Sequence, residues 1–123
     1  MMAKEKLSKG LIIPEPIANI ILDGSKKMLI RGCRTNIKNS IGIIKNRTGQ
    51  VIGAVGILEC IEINSFKFDA YRAWHKLECE FKDLKYKRVY GWILDEPRKF
   101  KKPISHEIEK NGHGCWVNLD LKI

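Results

Sequence analysis

Two apolar, β-branched segments at residues 41–45 and 50–63 constrain the fold of this chain more than any other feature. Only Asn-Arg-Thr-Gly at residues 46–49 separates them, and so short a turn-forming stretch predicts a β-hairpin. The second segment contains Gly53 and Gly56, which indicate a bulge or bend within a long strand. Because bends of this kind let a sheet curve, the hairpin favours a barrel.

Patterning elsewhere predicts the remaining elements. Strands are expected at residues 10–15, 27–31, 89–94 and 115–121, and helices at residues 16–23 and 66–81. Five or six strands with short connections indicate an α+β domain, namely a partly closed antiparallel β-barrel with two or more flanking helices.

For two of these elements the sequence pattern also predicts which side chains share a face. In the strand at residues 27–31, alternation turns Leu29 and Arg31 to one face and the residues between them to the other. The helix at residues 66–81 would turn an apolar stripe into the core, made of Phe66, Ala70, Ala73, Trp74 and Leu77. A proline-containing basic loop is expected to follow the strand at residues 89–94 and to reach Pro103.

The 123-residue length fits one domain, which we place at residues 10–123 behind an N-terminal tail at residues 1–9. The charged start lacks an apolar signal region, and no run approaches the ~20 apolar residues of a membrane span. A cytoplasmic protein without membrane association is therefore expected. The four cysteines have no C-x-x-C spacing and the three histidines are scattered, so neither a metal site nor a cofactor is predicted. Oligomeric state does not follow from the sequence.

Positive charge is concentrated in two blocks. The formal net charge is +9, and residues 24–58 contain seven Lys or Arg but no Asp or Glu. Residues 84–102 contain seven basic and two acidic residues, whereas residues 59–83 contain four basic and six acidic ones. If the fold joins the two blocks, they form one surface suited to an anionic partner such as nucleic acid or a nucleotide. The alternative is a basic protein whose lysines are simply solvated.

The first block opens with the pattern G-x-K-x-x-L-x-R, whose last three fixed positions are Lys26, Leu29 and Arg31. Arg31 has a rigid guanidinium fork suited to a phosphate or a base edge, and Lys26 offers a mobile cation just before a strand. The alternative is that Arg31 is a solvated strand end or pairs with Glu59 or Glu62 inside the barrel.

This pattern resembles the ASCH domain signature G-x-K-x-x-E-x-R; ASCH domains are relatives of the PUA fold. Three further segments are similar to that family: RGCRTNIKNSIGII at 31–44, GQVIGAVGILEC at 49–60 and YGWILDEPRKFKKPISH at 90–106. The resemblance covers residues 10–121 and implies a PUA-like β-barrel with a cleft and a role related to nucleic acid or nucleotides. Leu29 stands where the family has Glu, or Thr in some ASCH amidohydrolases, and Met28 stands where many members have Trp.

Eight residues are candidates to contact RNA or a nucleotide: Lys26, Arg31, Arg34, Thr35, Asn36, Lys38, Tyr90 and Trp92. Those at residues 34–38 supply phosphate donors from a loop, although an ordinary basic surface loop has the same composition. Tyr90 and Trp92 alternate onto one face of their strand, where Trp92 could stack on a base. The alternative for Trp92 is core packing.

These residues predict an RNA- or nucleotide-binding ASCH domain protein that uses a basic cleft. The rival hypothesis is a small hydrolase, an amidohydrolase on a modified nucleoside or a ribonuclease. In that case Lys26 would act as a base after burial lowers its pKa, with Glu59 as a candidate partner. Leu29 can neither accept a proton nor attack a substrate, which favours binding. A protein-interaction adaptor with an exposed apolar patch is the third hypothesis.

Overall fold

The computed structural model describes residues 6–45, 49–106 and 116–123, which form one six-stranded sheet with short helices packed against it. The strands are β1 (Lys6–Ile13), β2 (Met28–Arg31), β3 (Ser40–Lys45), β4 (Gln50–Glu62), β5 (Tyr90–Ser105) and β6 (Trp116–Lys122). The helices are α1 (Glu15–Leu22), α2 (Ser65–Ala70) and α3 (Arg72–His75), with a 3₁₀ turn at Phe81–Asp83. Of the helices described, none is both long and apolar enough to cross a bilayer.

The order of strands across the sheet is β2-β5-β4-β3-β1-β6. Neighbouring strands run antiparallel, except that β1 and β3 are parallel. A parallel pair needs a crossover connection, and α1 and β2 lie in that connection. The predicted α+β, PUA-like architecture is confirmed, as a mixed sheet whose edges β2 and β6 do not pair with each other in the described residues.

The long strand β4 bends where the sequence predicts a bend. Its pairing with β5 shifts register beside Gly53 and again beside Gly56. Glycine is needed at the first position because a Cβ on Gly53 would lie 2.5 Å from the backbone carbonyl oxygen of Arg98. The bulge prediction is therefore confirmed, whereas residues 46–48 of the predicted turn lie outside the described residues.

Strand β1 begins at Lys6, within the segment predicted as an N-terminal tail. Leu7 is fully buried, in a cluster that includes Ile44 and Val51. Residues 6–9 therefore belong to the sheet, and residues 1–5 lie outside the described residues.

Strand β2 contributes to the core through both of its faces. Leu29 joins the largest buried cluster, which includes Trp92 and the apolar face of α1. Met28 and Ile30 join the cluster that Phe68 of α2 helps to form. The predicted alternation along β2 is confirmed.

The single helix predicted over residues 66–81 is wrong. The chain forms α2, α3 and the 3₁₀ turn in its place. Phe66 and Trp74, predicted to be buried, are 79% and 37% exposed, while Phe68 and His75 are fully buried.

Arg72 supplies the physical reason for the early end of the helix. After α3 the backbone enters the left-handed region at Lys76, with φ 62°. The Nη1 of Arg72 donates to the carbonyl oxygens of Leu77 at 2.7 Å and Cys79 at 3.0 Å. Backbone acceptors beyond the helix end are thus satisfied by a side chain instead of by a further helical turn.

Strand β5 extends well past the predicted strand at residues 89–94, through the segment expected to be a loop. Pro97 and Pro103 both fall between the β5 residues that have register partners on β4. A proline there removes no hydrogen bond from the ladder, which is where a strand tolerates it. Glu96 has a positive φ of 47° at the first of these interruptions, as at a bulge.

Candidate functional site

Lys26, Leu29 and Arg31 line one cleft of about 220 Å³. The cleft lies between β2 and the junction of β1 with α1. Its other lining residues are apolar: Ile12, Ile13, Pro14, Ile17, Ile30 and Leu77. Both cations of the sequence motif therefore meet in a largely apolar recess.

A tight turn after α1 places Lys26 at this cleft. Asp23 caps the helix, and Gly24 takes a left-handed φ of 88°, which glycine adopts without steric cost. The backbone N–H of Lys26 then donates to the carbonyl oxygen of Ile20 at 2.9 Å. Lys26 is thereby fixed two residues before β2 begins.

Lys26 is a buried cation, with only 5% of its surface exposed. Its Nζ donates a hydrogen bond to the backbone carbonyl oxygen of His75. Burial, and to a smaller extent the charge of Arg31, lowers the pKa of Lys26 from 10.5 to about 8. Among the ion pairs of the described residues, none includes Lys26 or Arg31. Within the described ranges, the positive charge of the site is therefore not neutralised by an ion pair.

His75 holds the carbonyl that accepts from Lys26 in place. The backbone N–H of Leu77 donates to its Nδ1 at 3.0 Å, and its Nε2 donates to the carbonyl oxygen of Phe68 at 2.7 Å. Burial lowers the pKa of His75, which favours the neutral ring that this pattern requires. The ring also stacks on Phe68, with centroids 4.2 Å apart. Sequence reasoning missed His75, because no motif links it to Lys26.

Two guanidinium groups lie over neighbouring aromatic rings of β5. The Cζ of Arg31 is 5.7 Å from the ring centroid of Trp92, and the Cζ of Arg34 is 5.4 Å from that of Tyr90. Tyr90 is also the register partner of Arg31 across the β2–β5 ladder. Each arginine is therefore held over a β5 ring by a cation–π contact.

Trp92 itself is only 1% exposed. Its ring stacks on Trp116 with centroids 5.5 Å apart, and its Nε1 donates to the carbonyl oxygen of Cys33 at 3.0 Å. Tyr90 is also buried. Both rings therefore lie against the arginines and neither offers an open face to a base. For Trp92 this is the core-packing alternative.

The loop between β2 and β3 presents its polar side chains unevenly. Arg34, Asn36 and Lys38 are exposed, whereas Thr35 is buried. The Oγ1 of Thr35 accepts from the backbone N–H of Ile37 at 3.2 Å, so Thr35 shapes the loop from within. The exposed three are the ones that can reach a ligand without rearrangement.

A second cavity of about 320 Å³ shares Lys26 with the cleft. Two carboxylates line it, those of Asp95 and Glu96, and Lys27 and Pro97 lie beside them. The sequence patterns did not indicate these acids. Glu96 is a non-glycine residue with a positive φ, a strained backbone conformation that is common at functional sites.

The acids proposed as partners of Arg31 are placed elsewhere. Glu62 lies 3.9 Å from Arg88, in an exposed ion pair. Glu59 is exposed and has no ion pair in the part of the chain that the structure describes. Within the same residues, no three His, Cys, Asp or Glu side chains are grouped as metal ligands.

Crystal structures of an ASCH protein are among the solved structures that match this fold. A crystal structure of ASCH from Zymomonas mobilis matches with a TM-score of 0.71 at 17% identity, over 90% of this chain and 86% of that one. A serine-to-alanine variant of the same protein matches with a TM-score of 0.66 at 15% identity, over 95% of this chain and 91% of that one. No protein-family model matches the sequence, and no curated protein does. The ASCH-like fold expected from the motif is confirmed by these structures.

Proposed function

We propose that the cleft at Lys26 and Arg31 binds a phosphate group of RNA or of a nucleotide. The supporting observation is the burial of Lys26 beside a second cation, with no carboxylate paired to either in the described residues. A buried charge without a counter-charge is costly, and an anionic ligand would offset that cost. At neutral pH a lysine with a pKa of about 8 is still largely protonated.

The neighbouring loop extends the proposed contact surface. Arg34, Asn36 and Lys38 are exposed and would contact further phosphate or sugar groups. Arg31 and Arg34 lie on the rings of Trp92 and Tyr90, which would hold the guanidinium groups in place for the ligand. A cytoplasmic location, expected from the sequence, would expose this surface to RNA and nucleotides.

The test is the binding of a fluorescent oligouridylate at several salt concentrations. Arg31→Ala and Lys26→Met should each weaken binding. The salt slope is the slope of log affinity against log salt concentration, and each lost phosphate contact should reduce its size by about 0.7. Lys101→Ala removes an exposed cation from the distant half of β5 and should leave affinity nearly unchanged. If Arg31→Ala and Lys26→Met both retain wild-type affinity and salt slope, the proposed function is wrong.

A hydrolase is the second candidate, and two observations favour it. The pKa of Lys26 is low enough for a substantial fraction of free amine just above neutrality. Asp95 and Glu96 line the second cavity, which Lys26 also borders, so that cavity contains both a lysine and two acidic residues. Leu29 supplies no polar group in the cleft, which is why binding is placed first.

Phosphate binding and base catalysis need different protonation states of Lys26. Phosphate binding uses protonated Lys26 and should weaken as pH rises through about 8, whereas base catalysis should accelerate over the same range. Release of acetate from an acetylated cytidine, rising with pH and lost in Lys26→Met, would establish the hydrolase. The absence of turnover by the intact protein across this range would count against it.

A further inference from the structure

A groove of about 590 Å³ lies at the end of the sheet where β2 stops and β5 begins. Its lining residues are Glu62, Ile63, Asn64, Lys67, Phe81, Lys82, Leu84, Tyr86, Lys87, Arg88 and Val89. This volume lies in the range of ordinary ligand sites. None of the groove residues belongs to the cleft described above.

The groove is basic. Four of its lining side chains are cationic and one is acidic: Lys67, Lys82, Lys87 and Arg88 against Glu62. Arg88 is 3.9 Å from Glu62, with 74% and 58% of the two side chains exposed. An ion pair so exposed is weak, and it leaves Arg88 available to a stronger anion.

Tyr86 joins the groove to the cleft. A Cβ on Gly32 would lie 2.4 Å from Cδ1 of Tyr86, so the tyrosine ring packs directly on the backbone of Gly32. Gly32 follows Arg31, the last residue of β2 and part of the cleft lining. Tyr86 also lines the groove and is 45% exposed. The two basic blocks of the sequence therefore meet at this aromatic ring.

We infer that one single strand of RNA runs from the cleft, across Tyr86, into this groove. Proteins that hold single strands combine a cationic groove along the backbone with aromatic side chains on which bases stack. The groove supplies the cations, and Tyr86 supplies an exposed ring, which the buried Trp92 does not. This inference rests on the proposed function, because the cleft would hold one end of the strand.

The experiment compares oligouridylates of about three and about twelve nucleotides, since single-strand sites span about 4–16 nucleotides. The groove variant is Lys67→Glu with Lys87→Glu, and the control is Lys101→Glu with Lys102→Glu, the same charge change at exposed positions far along β5. Anisotropy measures affinity at low and moderate salt. The groove variant should bind the longer strand about tenfold more weakly. Its salt slope should be smaller by about 1.4, the amount expected for two lost phosphate contacts. The trinucleotide should be unaffected.

A second pair of variants tests the ring. Tyr86→Phe should bind the longer strand like the wild type, and Tyr86→Ala should bind it about tenfold more weakly, the usual effect of one lost base stack. Circular dichroism shows whether Tyr86→Ala keeps its fold despite the loss of packing on Gly32. If it unfolds, the lysine variants decide the question.

The remaining outcomes separate the inference about the groove from the proposed function of the cleft. Equal binding of the longer strand by the groove and control variants overturns the inference, while loss of both oligonucleotides in Arg31→Ala would leave the proposed function intact. If Arg31→Ala and Lys26→Met also have no effect on either oligonucleotide, both are wrong. If polyglutamate of similar charge displaces the longer strand as well as unlabelled RNA does, the groove is a general polyanion site and the RNA inference fails.

Discussion

Lys26 makes folding stability depend on pH in a direction opposite to that of most lysines. Burial lowers its pKa to about 8 in the folded protein, while the unfolded chain keeps a value of 10.5. Between these values the unfolded state binds more protons than the folded state, so the free energy of unfolding rises with pH. Below about pH 8 both states are protonated and the full cost of burying the charge is present.

The size of the effect follows from the two pKa values. Integrating the proton difference between about pH 7.5 and about pH 9.5 gives a gain in the free energy of unfolding of about 2 kcal/mol from Lys26 alone. Lys26→Met keeps a side chain of similar length and removes the titrating group. It also loses the hydrogen bond to the His75 carbonyl, whose dependence on the protonation of Lys26 belongs to the folded-state pKa and so to the titration itself. The difference between wild type and variant therefore isolates the titration.

Urea denaturation followed by tryptophan fluorescence at the two pH values is the assay. The stability of the wild type relative to Lys26→Met should increase by about 2 kcal/mol from the lower to the higher pH. Lys27→Met removes the same group from the next, exposed position and should reproduce the wild-type profile. Parallel pH profiles for wild type and Lys26→Met would refute the claim that Lys26 is a buried, protonated amine.

Three substitutions test other parts of the structure by the same denaturation assay. Trp92→Phe loses the hydrogen bond to the Cys33 carbonyl and part of a buried ring system, and should cost at least about 1 kcal/mol; an unchanged midpoint would contradict that bond. Gly53→Ala should cost more than about 1 kcal/mol, because its Cβ would meet the Arg98 carbonyl oxygen at 2.5 Å, and full stability would mean that β4 and β5 approach less closely. Arg72→Ala should cost about 2 kcal/mol, since two backbone carbonyls beyond α3 lose their donor; a neutral result would remove the reason given for the early end of that helix.

The strands were predictable because their signals are local. Alternation placed Leu29 and Arg31 on one face of β2, and the glycines at 53 and 56 marked the bends of β4. The second half of β5 was not predictable in the same way. Its prolines at 97 and 103 are typical of a loop, and only the register against β4 shows that they fall at interruptions of the ladder.

The failed prediction over residues 66–81 has a different cause. The apolar spacing there fits a helix, but the Arg72 guanidinium satisfies the carbonyls of residues 77 and 79 and lets the chain leave the helix. Side-chain caps of this kind depend on three-dimensional placement, not on periodicity. Phe68 of the short helix α2 is the buried aromatic residue in place of Phe66, and it joins the core cluster of Met28 and Ile30 on β2.

At the site, the sequence located the cations but not their environment. The motif brought Lys26 and Arg31 into one cleft as expected. The acceptor that holds Lys26 is the carbonyl of His75, 49 residues away along the chain, and no spacing rule connects the two. The burial of Trp92 also depends on a distant partner, the ring of Trp116 on β6.

Leu29 bears on both hypotheses for the cleft, catalysis and anion binding. It lines the recess with Lys26 and Arg31 and is itself buried in the main core cluster. A leucine here supplies neither an acid nor a nucleophile, which weakens the case for catalysis. The same apolar surface keeps water and counter-charge from the lysine, and desolvation is the main reason that the pKa of Lys26 is lowered. An anion that enters the recess would therefore meet a cation that is poorly solvated and still protonated at neutral pH, and such a cation gains more from an ionic partner than an exposed lysine does.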